Sequence, residues 1–173
     1  VVIKKDRDTT KFRACMDASA KYSGLSLNDT LMQGPNIQED MIKVLVRFRK
    51  KKIAVSMDVS EMFPQIIVRK QDRNRLRFLV KRKGKIKIYR HKRVPFGLNC
   101  SPYLAQYTVL RSAEERKLTK SIAYDLIKWS RYVDDIAGSL HTKKEAIQAL
   151  SEVPEVFKSC GMEVHKVLSN DKD

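Results

Sequence analysis

Three carboxylates stand where chemistry could be done. Asp58 follows the apolar run Ile53-Ala54-Val55-Ser56-Met57, and Asp134 and Asp135 are adjacent within Tyr132-Val133-Asp134-Asp135. Carboxylate oxygens are hard donors suited to Mg²⁺. Two or three of them on separate elements can hold a pair of ions roughly 3.5–4 Å apart, which activates an attacking hydroxyl oxygen and holds a triphosphate with its leaving group. That is the chemistry of nucleotidyl transfer. Two adjacent aspartates in a turn are, taken alone, an ordinary solvated tip, so the elements that carry them decide what they can do.

The run from Ile53 to Met57 predicts a short buried strand with Asp58 at its end. The flanks of Asp134-Asp135, from Trp129 to Leu140, are apolar or aromatic and predict two short strands with the acids at the hairpin tip. Upstream, residues 11–16 read as a strand and the polar stretch from Asp17 to Pro35 as loop. Asn36 and Glu39 resemble a helix cap, and Ile37, Met41, Val44, Leu45 and Phe48 repeat at helical spacing up to Arg49-Lys50-Lys51-Lys52, cations that suit a helix C-terminus. Leu76 to Val80 and Lys85 to Tyr89 flank Lys81-Arg82-Lys83-Gly84 and predict a hairpin with Leu76, Phe78, Ile86 and Ile88 inward. Ser101-Pro102 predicts a helix with Ser101 as N-cap, running to about Leu118 with Tyr103, Tyr107 and Leu110 on one face. Thr142 and Glu145 form a capping box for a helix that meets Pro154 and ends before Gly161, and a strand from Glu163 to Leu168 follows.

The chain has 36 Lys and Arg against 20 Asp and Glu, a formal charge of +16, so a polyanionic partner is the first expectation. Thirteen of the twenty-five residues 69–93 are Lys or Arg, and Asp72 is the only acid among them. Such a block can track phosphates and release counterions, although a solvated hairpin face has the same composition. No apolar run is long enough for a membrane span, and the start lacks the apolar stretch of a signal peptide, which predicts a soluble, intracellular chain with no membrane partner. Cys15, Cys100 and Cys160 are too scattered for a zinc site and read as reduced, small apolar side chains. No repeat, low-complexity tract or linker divides the 173 residues.

Tyr132-Val133-Asp134-Asp135 between apolar flanks resembles the catalytic hairpin of retroviral and LTR-retrotransposon reverse transcriptases. Further blocks follow in that family's order. The segments from Phe12 to Tyr22, Ser26-Leu27-Asn28-Asp29 and Leu31-Met32-Gln33-Gly34-Pro35 resemble the fingers of BEL/Pao-type elements. So do Asp58-Val59-Ser60-Glu61-Met62-Phe63, the segment from Val94 to Pro102, and the close from Gly161 to Asn170. Several ordered blocks over nearly the whole chain are far more specific than any one. The resemblance implies an α+β fold: a polymerase palm, an antiparallel sheet with helices packed on one face, plus part of the fingers. It divides the chain into partial fingers with a connecting helix (1–52), the first palm motif (53–68), a basic hairpin at the fingers/palm junction (69–93), and the remaining palm with its helix, acidic hairpin and closing helix and strand (94–173).

Each matching residue then has an implied role. Asp58 and Asp134 would be direct ligands of two Mg²⁺ ions, for which Mn²⁺ can substitute. Asp135 would be a ligand or electrostatic support, and the Val59 carbonyl a further oxygen. Arg13, with Lys4 or Lys5, would clamp the incoming triphosphate; ordinary surface charge is the alternative for all three. Ser60, Glu61, Met62 and Phe63 would line the incoming nucleotide, with Phe63 beneath the sugar excluding a 2′-hydroxyl; a core phenylalanine is the alternative. Phe96 and Gly97 would open a turn against the nascent base pair and template, with Phe where many retroviral enzymes have Gln and so no polar contact. Tyr132 and Val133 would face template and primer. Lys166 would protonate the pyrophosphate leaving group, or be a plain surface lysine.

The resemblance implies RNA- or DNA-templated DNA synthesis, with a primed template and dNTPs as partners, in the cytoplasm within a virus-like particle. Two other readings use the same residues: a domesticated, non-catalytic nucleic-acid binder, and the palm of an intron-type reverse transcriptase or RNA-dependent RNA polymerase. The latter enzymes usually carry Gly or Ala where Val133 stands. The sequence carries no initiator Met, thumb, RNase H, protease or integrase segment, which predicts a piece of a polyprotein whose partners include the thumb and RNase H. Without a thumb to grip primer and template, synthesis by this chain alone is expected to be weak and distributive. A trap-challenged primer-extension assay checks this, and processive products would overturn it.

Overall fold

The computed structural model describes residues 2–3 and 12–171, with side chains from residue 14 onward. The elements in chain order are β1 (Val2–Ile3), β2 (Phe12–Arg13), α1 (Leu27–Thr30), α2 (Met41–Lys50), β3 (Ile53–Ser60), β4 (Arg77–Arg82), β5 (Lys85–Arg90), α3 (Ser101–Glu115), α4 (Ile122–Trp129), β6 (Arg131–Tyr132), β7 (Asp135–Leu140), α5 (Lys143–Ser159) and β8 (Glu163–Ser169). Contacts divide them into two compact units, residues 1–34 with 63–101, and residues 35–62 with 102–173. No helix among the described residues is long and apolar enough to cross a membrane.

The second unit is built on a four-stranded antiparallel sheet in the order β6-β7-β3-β8. Along β3, Ile53, Val55, Met57 and Val59 are buried, while Ala54, Ser56, Asp58 and Ser60 are half-exposed. The sequence reading put Asp58 at the end of this strand. Pairing of Val59 with Val164 and of Ser60 with Glu163 on β8 carries it further, so Asp58 lies inside the strand. The apolar face of the sheet packs with α4 and α5. A Cβ on Gly138 would fall 2.3 Å from Leu126 Cδ2, so a larger residue there would have to displace the Leu126 side chain of α4. Met57, Ile136, Val153, Phe157 and Met162 are fully enclosed in this core, each large side chain contributing about 1.5–3 kcal/mol. Ser139 ties α2 to β7 by accepting from Lys51 N and donating to Arg47 O.

Several helix ends depart from the sequence reading. Asp40, not Asn36, caps α2 by accepting from Lys43 N, and Asn36 instead accepts from Gln38 N in a local turn. Ser101 lies inside α3, where its hydroxyl donates to Pro95 O, and the helix ends at Glu115. Ser26 and Asp29 form a capping box for α1, one turn within the stretch read as loop. The capping box of Thr142 and Glu145 opens α5 as expected, and the helix continues through Pro154 to Ser159. Helix α4 was not anticipated; Ser121 caps it and Ala123, Leu126 and Ile127 are buried along it.

The first unit has a small core of Ala18, Leu76 and Leu98 with Met16, Leu27 and Val68 against it. Strands β4 and β5 form a separate antiparallel hairpin. Lys83 and Gly84 both have positive φ, the two-residue turn that matches strand twist. The register pairs Phe78 with Tyr89 and Leu79 with Ile88, so Ile86 and Ile88 share a face with Leu79 and not with Phe78. Every residue of both strands is exposed, so of the four residues expected inward only Leu76, just before β4, is buried, and Phe78, Ile86 and Ile88 are not.

Arg131 is the least expected member of the second unit's core. It is only 4% exposed, and among the described residues its guanidinium reaches no carboxylate: Nε donates to Ile127 O and one terminal nitrogen to Val133 O. Burial pushes its pKa down to about 10, which leaves it charged at neutral pH. Removing the charge would relieve desolvation, but both carbonyls would lose a donor. Arg131→Met is therefore expected to cost about 1–3 kcal/mol in urea denaturation. It should also speed amide hydrogen exchange at Asp134 and Asp135, and unchanged exchange would sink this account of the turn.

Candidate active site

The pairing of β3 with β7 places Asp58 directly opposite Asp135. Side chains of directly opposed residues project from the same face of an antiparallel pair, here the open face that also carries Ser56 and Ala137. Asp134 sits in the turn between β6 and β7, and its carbonyl accepts from Val59 N at 2.9 Å. The turn that presents one acid is thereby bonded to the residue after another. Asp58 and Asp134 are half-buried and Asp135 is exposed.

Val133, at the turn, has φ +55. A β-branched residue in the left-handed region costs about 1–3 kcal/mol and persists only where neighbours over-determine it. Two bonds do so: Arg131 to Val133 O, and Val59 N to Asp134 O. Glu61 and Lys166 are also non-glycine residues with positive φ, at +46 and +51. Lys166 lies where the register of β8 slips against β3 between Ser56 and Asp58, and it is exposed. The slip makes His165, not Lys166, the residue opposite Asp58. The His165 imidazole lies 3.3 Å from Glu163. Tyr132 pairs with Asp135 and is half-buried, Ser60 is half-buried, Glu61 is exposed and Met62 is buried.

The first unit holds the remaining described candidates. Phe63 and Phe96 are half-buried, with ring centroids 5.3 Å apart and planes tilted by 53°. The structure thus brings together two aromatics that lie far apart in sequence. Gly97 has φ +104, and a Cβ there would sit 1.9 Å from Met16 O, so the position requires glycine. Met16 N donates to Phe96 O at 2.8 Å. Asn28 adds three bonds: its side-chain amide donates to Gly97 O, its Oδ1 accepts from Asn99 N, and its carbonyl accepts from the Asn99 side chain. Lys4 and Lys5 lie outside the described residues, and Arg13 is described only as backbone, paired with Val2.

Arg131 and Asn28 are the positioning residues that sequence reading missed. Arg131 adjoins the Tyr-Val-Asp-Asp segment and looks like one more surface cation. Asn28 sits in a segment the sequence reading took as part of the fingers, without a role for its amide.

In kind, the donor set fits hard divalent cations: three carboxylates on neighbouring strands and a turn, on the open face. Among the described residues no group of three or more His, Cys, Asp or Glu is gathered closely enough to hold an ion. Asp58, Asp134 and Asp135 would therefore have to draw together to hold one.

The sequence matches the family described as reverse transcriptase (RNA-dependent DNA polymerase) over residues 4–167. No curated protein matches. Among solved structures, the chain is similar to the foamy viral protease-reverse transcriptase in complex with double-stranded DNA, at 22% identity and a TM-score of 0.66 over 89% of this chain and 24% of that one. It is also similar to the same viral protein in complex with an RNA/DNA hybrid, at 23% identity and a TM-score of 0.56 over 75% of this chain and 16% of that one. The chain therefore spans a quarter or less of the length of these structures. The likeness carries the fold, a mixed helix and antiparallel-sheet palm with fingers. By its match over nearly the whole sequence, this chain belongs to the reverse transcriptase family.

Proposed function

We propose that this chain is the catalytic core of an enzyme that synthesises DNA on RNA or DNA templates by two-metal nucleotidyl transfer. The observation that carries the reading is the register of Asp58 against Asp135, with Asp134 bonded through its carbonyl to Val59 N, in a member of this family. The reaction joins a primer 3′-oxygen to the α-phosphorus of a dNTP and releases pyrophosphate. Asp58, Asp134 and Asp135 would hold two Mg²⁺ ions, with the Val59 carbonyl as a further oxygen and Mn²⁺ as a substitute. When bound, the ions would lower the barrier by polarising the attacking oxygen and neutralising the triphosphate.

The chain's own residues have separate tasks in this reading. Phe63, packed on Phe96, would floor the sugar and exclude a 2′-hydroxyl, and Ser60, Glu61 and Met62 lead into it. Gly97, with no side chain, would let template approach the backbone, and Tyr132 and Val133 would meet primer and template. Lys4, Lys5 and Arg13 would clamp the triphosphate, and Lys166 would donate the proton that pyrophosphate takes up. The quoted motifs favour a BEL/Pao-type LTR retrotransposon as the source. Thumb and RNase H segments of a longer polyprotein would then be partners, working in a cytoplasmic particle.

Primer extension on RNA and DNA templates tests the reading. Asp134→Asn is expected to reduce extension by about a hundredfold or more. Asp58→Asn should weaken Mn²⁺ binding in a titration without substrate. Wild-type extension by Asp134→Asn, or a preference for rNTPs in the unaltered chain, would overturn the proposal. Phe63→Ala should raise the use of rNTPs relative to dNTPs by about tenfold or more, measured as a ratio of kcat/KM values; an unchanged ratio would remove Phe63 from the sugar gate.

A further inference from the structure

Pairings across the second unit's sheet line up in one rung. Tyr132 on β6 is opposite Asp135 on β7, Asp135 is opposite Asp58 on β3, and Asp58 is opposite His165 on β8. Directly opposed residues project from the same face, so two carboxylates and an imidazole stand side by side on the open face. Neighbouring strands lie about 4.8 Å apart, which makes Asp58 the centre, with Asp135 on one side and His165 on the other. Burial agrees: Met57 and Val59 are enclosed, whereas Asp58 is half-buried and His165 exposed.

The imidazole owes its place to the bulge in β8. Ser56 pairs with Leu168, and that register carried on would set Lys166 opposite Asp58. Instead Lys166 and Val167 together stand against Met57, Lys166 takes φ +51, and His165 moves into the rung. The exchange matters chemically. An ammonium has no lone pair to offer a cation, whereas a neutral imidazole has one. Nε2 of His165 lies 3.3 Å from Oε2 of Glu163, which is opposite Ser60 on the same face. A carboxylate beside one ring nitrogen favours the N–H there and leaves the other nitrogen its lone pair, the arrangement in which histidines ligate metals. Among the described residues neither Nδ1 of His165 nor the Asp58 carboxylate has a hydrogen-bond partner.

We propose that His165 is a nitrogen donor to the divalent-metal site, with Glu163 orienting its ring, and that it biases the site toward first-row ions such as Mn²⁺ over Mg²⁺. The inference rests on the two-metal reading above and deepens it, since the three aspartates and the Val59 carbonyl supply oxygen alone. Mg²⁺ takes oxygen donors and keeps several waters, whereas first-row divalent ions accept imidazole as well. His165, like the aspartates, would have to draw in to hold an ion.

The test is Mn²⁺ binding by the full chain, without nucleic acid or nucleoside triphosphates, read by electron paramagnetic resonance and by competition with Mg²⁺. The pulsed spectrum of the unaltered chain should show modulation from an imidazole nitrogen. His165→Ala should remove it and weaken Mn²⁺ binding by about tenfold or more, with Mg²⁺ binding little changed. His165→Asp returns an oxygen donor, so it should restore binding without the nitrogen signal and shift the preference to Mg²⁺. Glu163→Gln should keep the nitrogen signal and weaken Mn²⁺ binding by less than loss of the ring does. No Mn²⁺ binding, bound Mn²⁺ without nitrogen modulation, or an equal loss of both ions in His165→Ala would each overturn the proposal. The two-metal reading survives a missing nitrogen signal as long as Asp58→Asn still weakens Mn²⁺ binding; Mn²⁺ binding indifferent to Asp58→Asn would sink both.

Discussion

The register of β3 against β7 is the constraint on which the second unit depends. Side chains alternate along a strand, so a slip of one residue would turn Asp58 into the core and push Met57 and Val59 out. The apolar set Ile53, Val55, Met57 and Val59 prevents that slip, because Met57 lies opposite Ile136 in a fully buried layer. The same pairing that satisfies the core therefore sets Asp58 opposite Asp135. Packing energy and the placement of the acids are two consequences of one alignment.

The turn that follows is held against its own preference. Val133 occupies a left-handed conformation that a branched side chain resists, and the bond from Val59 N to Asp134 O joins that turn to β3. Arg131 adds a buried charge whose donors go to the end of α4 and to Val133 O. Burying a guanidinium is costly, and here it satisfies carbonyls where a helix end meets a strained turn. In the first unit, Asn28 and Met16 do comparable work with neutral bonds around Phe96 and Gly97.

Much of this was legible locally. The capping box at Thr142 and Glu145 and the apolar alternation of β3 depend on residues close in sequence, and both lie where sequence reasoning put them, apart from the length of β3. Sequence reasoning failed where two local solutions competed. Asn36 and Asp40 can each cap a helix; Asp40 does so, while Asn36 is engaged in a local turn with Gln38 and Glu39 is ion-paired with Arg47. Ser101 could cap α3 but donates instead to Pro95 O, a partner that exists only in the folded turn. The hairpin of β4 and β5 was assigned an inward face by alternation, yet its cross-strand register spreads apolar residues over both faces.

The sequence by itself determined the kind of chemistry available: which residues are acids, that Val133 precedes them, and that the ordered blocks around them belong together in one family. These are properties of residue type and spacing, which survive without coordinates. Only the tertiary structure decided that Asp58 faces Asp135, that a slip in β8 sets His165 rather than Lys166 across from Asp58, and that Arg131 is a buried clamp and not a surface cation. The reason is that strand register, bulges and burial arise between segments far apart in the chain. No window of sequence holds both partners, so the pairing that places these groups exists only once the sheet has formed.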